Sequence, residues 1–154
     1  MNGHAIEQMT QQKRIKINKK LLLKLTIGGG VVFCLTSIAT SLLPIAAEYR
    51  AAFSDWSIQA VWIGSLFMGM MIGYCVSYLL LRFFEKIPTK NPILKTVTLS
   101  FIALVIAVIL IDVPMILQEP GASLYYLLIG VTFNTVRFLF LGIVVGYLYK
   151  RLYS

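Results

Sequence analysis

Four apolar runs, each of roughly 25 residues and nearly free of charge, restrict this chain more than any other feature. A bilayer's hydrocarbon core is about 30 Å thick and a helix needs about 20 apolar residues to cross it, so every run is long enough to span. The runs cover 21–46, 59–84, 93–117 and 123–149. In 154 residues they leave a basic tail at 1–20 and short connections, with no length for a soluble catalytic domain. The expected fold class is therefore all-α: a four-helix transmembrane bundle forming one domain over 21–154. A transmembrane barrel is excluded, because barrel strands alternate with period two and these runs do not.

Composition agrees, with 58% hydrophobic and 13% charged residues, where soluble domains carry about 25% charge. The net charge of +8 would suit a nucleic-acid partner if read without regard to position. Position argues otherwise. Twelve of the 14 Lys and Arg flank the runs on one side: Lys13, Arg14, Lys16, Lys19, Lys20, Lys24, Arg82, Lys86, Lys90, Lys95, Lys150 and Arg151. Arg50 stands alone on the other side, and Arg137 lies inside the fourth run. Basic residues hold short loops in the cytoplasm and attract anionic lipid headgroups. The expectation is a multi-pass protein of the cell membrane, N-in/C-in, with lipid rather than nucleic acid as its partner. Ile45-Ala46-Ala47 faintly imitates a signal cleavage site, but the preceding apolar run exceeds the 7–15 residues usual for a signal sequence.

The connections have characters of their own. Between the first two runs, Glu48, Arg50 and Asp55 interleave with Tyr49, Phe53 and Trp56, a mixture suited to the headgroup layer and to a short amphipathic helix along the membrane face. Pro88 and Pro92 break the second connection. Glu119-Pro120-Gly121 predicts a tight turn and Ser123 an N-cap, making the last two spans an antiparallel hairpin.

Helices in lipid approach closely where residues are small. Ser65, Gly69, Gly73 and Ser77 recur every four residues along the second span, and Gly142 and Gly146 share that spacing in the fourth. The first span offers Gly28, Gly29 and Gly30, with Thr36, Ser37, Thr40 and Ser41 further along. The third has almost none and is expected to face lipid most. These rows read first as ordinary bundle packing, and otherwise as a homodimer seam or the wall of a polar pathway. Cys34 and Cys75 lie within apolar runs, without CxxC spacing, and read as small packing residues.

Two ionisable residues stand out. Arg137 lies near the middle of the fourth span, where a charge costs about 2.5–3.5 kcal/mol and calls for a partner. Asp112 is the candidate on the neighbouring span, but counting from the turn separates the two by ~15 Å along the helix axes, too far for a direct pair. Pro114 lacks the N–H that would meet the Leu110 carbonyl, so it should open that turn beside Asp112. Thr40 and Ser41 lie at similar depth, and Asn134 is one turn from Arg137 on the same face. Asp112, Asn134, Arg137, Thr40 and Ser41 thus form the candidate substrate or ion site.

Catalytic constellations are absent: the single histidine, His4, is in the tail, and no metal-binding, nucleophile or phosphate-loop motif occurs. No enzyme activity, cofactor or metal is expected. The leading expectation is a small membrane protein acting through helix contacts, as a homo-oligomer or an accessory subunit of a larger membrane complex. The alternative is a small transporter or permeation module using Asp112, Asn134 and Arg137.

Overall fold

The computed structural model describes residues 18–53, 57–118 and 124–153. Residues 1–17 of the basic tail with His4, Asp55 and Trp56 in the first connection, the Glu119-Pro120-Gly121 turn and the Ser123 cap lie outside the described residues.

Every described element is helical: α1 (Lys19–Ser41), α2 (Pro44–Phe53), α3 (Ile58–Phe83), a 3-10 turn (Phe84–Lys86), α4 (Pro92–Ala107), a π-helical turn (Val108–Asp112), α5 (Val113–Gln118) and α6 (Leu124–Tyr153). Among the described residues, four helices are long and apolar enough to cross a membrane, the third by counting α4 and the π-helical turn together. Local chemistry starts three of them. Asn18 Oδ1 accepts from the Lys20 and Leu21 N–H groups at 3.1 and 3.3 Å, Ser57 Oγ accepts from Ala60 N–H at 3.3 Å, and Asn91 Oδ1 accepts from Ile93 N–H at 3.0 Å. Pro92 sits at the start of α4, where its missing N–H costs nothing.

The first span is shorter than the apolar run 21–46 implies. It ends at Ser41, and the Leu43 N–H turns back to the Thr40 carbonyl at 3.2 Å. Pro44 has no N–H to continue α1, so it opens α2 instead. The short helix expected in this connection is thus present, and it begins three residues after the span.

α1 lies between α3 and α6, and α6 lies between α1 and α4. The glycine rows make these approaches possible. A Cβ on Gly69 would fall 2.8 Å from Phe33 Cβ, and one on Gly73 would fall 3.1 Å from the Thr26 carbonyl oxygen, so this row seats α3 on α1. A Cβ on Gly142 would stand 2.9 Å from Val97 Cα and one on Gly146 2.6 Å from Ile93 Cα, so the second row seats α6 on α4. Gly73 and Ser77 are buried, while Ser65 is only partly covered. Each Gly-rich face is therefore filled from within the chain. The third span is the least buried of the four, as its lack of small residues implied.

An aromatic and aliphatic cluster forms most of the core, with Ser37, Ser77 and Ser100 buried as well. Phe33 and Phe138 meet edge to face, with ring centroids 5.7 Å apart, among the fully buried Val76, Leu80, Leu141 and Val145. At the basic end, Lys95 is only 5% exposed. Its Nζ donates to the Phe84 carbonyl, just beyond the C-terminus of α3, and lies 3.8 Å from the Phe84 ring centroid. The ammonium thus answers the negative end of a helix dipole and an aromatic face together. Lys95→Met keeps the side chain's length and removes the donor. It is expected to lower bundle stability in detergent by about 1–3 kcal/mol, measured by denaturant or thermal unfolding, because the Phe84 carbonyl is left unpaired.

Candidate functional site

The polar site grows out of one local irregularity. Pro114 cannot donate to the Leu110 carbonyl, and its ring crowds that oxygen. The chain relieves the conflict by widening the preceding turn: residues Val108–Asp112 are π-helical, and the Val113 N–H reaches back five residues to the Val108 carbonyl. The sequence implied an opened turn here. The structure adds its form, and leaves Asp112 buried at 7% exposure.

From Asp112 a hydrogen-bonded chain runs inward. Asn134 Nδ2 donates to Asp112 Oδ2 at 2.9 Å, Arg137 Nη1 donates to Asn134 Oδ1 at 3.2 Å, and Arg137 Nη2 donates to Thr40 Oγ1 at 3.3 Å. The Thr40 hydroxyl donates in turn to the Thr36 carbonyl at 2.9 Å. The amide orientation of Asn134 follows from its neighbours, since a carboxylate only accepts and a guanidinium only donates. Three spans meet in this chain. Its geometry also explains how two charges too far apart to pair directly are joined: Asn134 fills the interval.

Of the candidate residues, Asp112, Asn134, Arg137 and Thr40 come together. Ser41 does not join them. Its hydroxyl donates to the Ile38 carbonyl at 2.7 Å and accepts from Trp62 Nε1 at 3.0 Å, and its carbonyl accepts from Arg50 Nη1 at 3.4 Å. It ties the end of α1 to α2 and α3 instead.

Sequence reasoning treated Tyr49 as an interface aromatic and missed its contribution. The ring lies 6.4 Å from both Tyr126 and Phe133, and its hydroxyl oxygen would meet a Cβ on Gly130 at 2.9 Å. Gly130 is thus the position that lets the phenol approach α6. Burial pushes the Tyr49 phenol above its ordinary pKa; the Asp112 carboxylate adds to this and the Arg137 guanidinium opposes it. The tyrosine stands within the electrostatic reach of both charges. The available signal was Gly130 itself, a small residue one turn before Asn134.

Two donors and acceptors in the neighbourhood are left over. Arg137 Nε and Ser37 Oγ are buried without a hydrogen-bond partner among the described residues. No three His, Cys, Asp or Glu side chains come together to hold a metal ion among the described residues. No family model, curated protein or solved structure matches this chain.

Proposed function

We propose that this chain is a small, non-enzymatic transporter or permeation module of the cell membrane, with both termini cytoplasmic and its working site formed by Asp112, Asn134, Arg137 and Thr40. One observation carries this reading: a mid-span guanidinium is held by uncharged acceptors on two helices and linked through an amide to a buried carboxylate. A bundle needing only to pack would be served by apolar residues, because a charged centre costs about 2.5–3.5 kcal/mol to insert. We place a reading through helix contacts with other proteins second, because Gly69, Gly73, Gly142 and Gly146 each face another helix of the same chain. The basic side chains at one end favour a cytoplasmic face bound to anionic lipid headgroups. The aromatic and aliphatic layer around Phe33 and Phe138 separates the site from that face, which favours alternating access over an open pore.

Thiol accessibility tests the reading. In protein with Cys34→Ser and Cys75→Ser, Thr40→Cys is expected to react with a small impermeant thiol reagent added on the Tyr49 side, while Val76→Cys in the apolar layer stays unlabelled. A thiol at position 40 that resists labelling from both sides means a dry network, and the transport reading then fails.

A further inference from the structure

Arg137 makes no direct contact with a carboxylate among the described residues. Nη1 and Nη2 donate to the uncharged oxygens of Asn134 and Thr40 at 3.2 and 3.3 Å, and the buried Nε is unpartnered. Asp112 stands one amide away, held by Asn134 Nδ2 at 2.9 Å. While Asp112 is ionised, its charge and that of Arg137 offset each other across Asn134. A proton on Asp112 removes that offset and leaves one unit of positive charge, with an orphaned donor, in surroundings of low dielectric.

We propose that the Arg137 guanidinium binds a small monovalent inorganic anion, and that Asp112 takes up a proton in the same cycle, so that anion and proton are carried together. The inference rests on the transport reading above and names the substrate class of that site. Charge sets the valence, because one guanidinium is matched by one negative charge. Burial sets the size: the Arg137 Nε is buried and its chain neighbour Phe138 packs edge to face on Phe33, so we take the site to admit nothing larger than a small ion. The proton passes from water to the Asp112 oxygen that Asn134 does not hold, and no covalent bond other than that O–H changes. The charged or titratable groups acting on Asp112 are Arg137 from α6 and Tyr49 from α2; Asn134 and Thr40 do not titrate. The half-buried Tyr49 phenol, whose pKa is raised, keeps its proton near neutral pH, so the proton count rests on Asp112. By reciprocity, protonation tightens anion binding by the factor by which the anion tightens protonation.

The test uses the full chain in liposomes of phosphatidylcholine and phosphatidylglycerol, with nitrate, chloride and thiocyanate as probes and internal anion-sensitive and pH-sensitive dyes as readouts. Nitrate affinity is measured in parallel by calorimetry in detergent. An inward anion gradient is expected to draw protons in, and nitrate is expected to bind at least about tenfold tighter at about pH 5 than at about pH 8. Arg137→Gln should lose binding. Asp112→Asn, which retains an acceptor for Asn134, should bind at both pH values with the tighter affinity and move anions without protons. If Arg137→Gln does not fold, the Asp112→Asn result decides. An anion affinity indifferent to pH in the unmodified protein, or one still dependent on pH in Asp112→Asn, overturns the proposal. If position 40 is labelled but no probe anion binds, this inference falls and the transport reading stands; if position 40 is dry, both fall.

Discussion

Gly146→Leu is expected to prevent the bundle from assembling. A Cβ at this position would press on Thr96 Oγ1 and stand 2.6 Å from Ile93 Cα and 3.1 Å from the Pro92 carbonyl oxygen. Two of those atoms belong to backbone and cannot swing aside as a side chain would. Overpacking that neighbouring rotamers can absorb costs about 1–3 kcal/mol. Here α4 and α6 must separate along their whole seam, so the expected loss exceeds about 3 kcal/mol, a large part of the 5–15 kcal/mol that typically stabilises a folded protein. Gly64→Leu is the matched control, because a Cβ there meets nothing within 4 Å. It should change stability by no more than about 0.5 kcal/mol. Unfolding in detergent, monitored with size-exclusion profiles, measures both. Equal stability in the two variants would mean that the glycine seam does not hold the helices as described.

Arg137→Met is expected to abolish transport and leave the bundle as stable as before, or more so. Methionine occupies similar length without charge. Asp112 need not be stranded as a buried anion, because it can take a proton and keep the Asn134 bond seen at 2.9 Å. Replacing a whole buried ion pair by apolar residues of similar volume is often neutral or stabilising by about 1–4 kcal/mol, and a protonated Asp112 brings the single change close to that case, since no uncompensated charge stays buried. Flux in proteoliposomes should fall to the protein-free background while the unfolding midpoint holds or rises. A structural arginine behaves the opposite way: its removal lowers stability by about 3 kcal/mol or more. The two measurements on one variant therefore separate an arginine kept for function from one kept for folding.

The spans were legible because the requirement behind them is local. A stretch of about 20 apolar residues satisfies its own backbone hydrogen bonds as a helix and needs no partner to be recognised. Boundaries were less so. The run 21–46 looks like one span until Thr40 and Pro44 are seen to divide it between α1 and α2. The candidate site was legible in its members, since Arg137 and Asp112 violate the apolar pattern and Pro114 marks a break, but Ser41 was assigned to it on depth alone. Depth does not specify direction, and the Ser41 hydroxyl turns to Trp62. Lys95 was readable only as a marker of sidedness, because nothing in its neighbours announces that it is covered by Phe84.

The amino-acid order by itself determined that four helices form, that each is long enough to cross a bilayer, and which residues are costly to place there. Those are sums over contiguous residues. Only the tertiary structure decided that the glycine rows serve α1 and α4, that a π-helical turn directs Asp112 inward, and that Asn134 and Thr40 share the guanidinium between them. The physical reason is that hydropathy is a property of one segment, whereas a hydrogen bond between spans depends on the rotation and height of two helices at once. Those are set by how the small residues of each let the other approach.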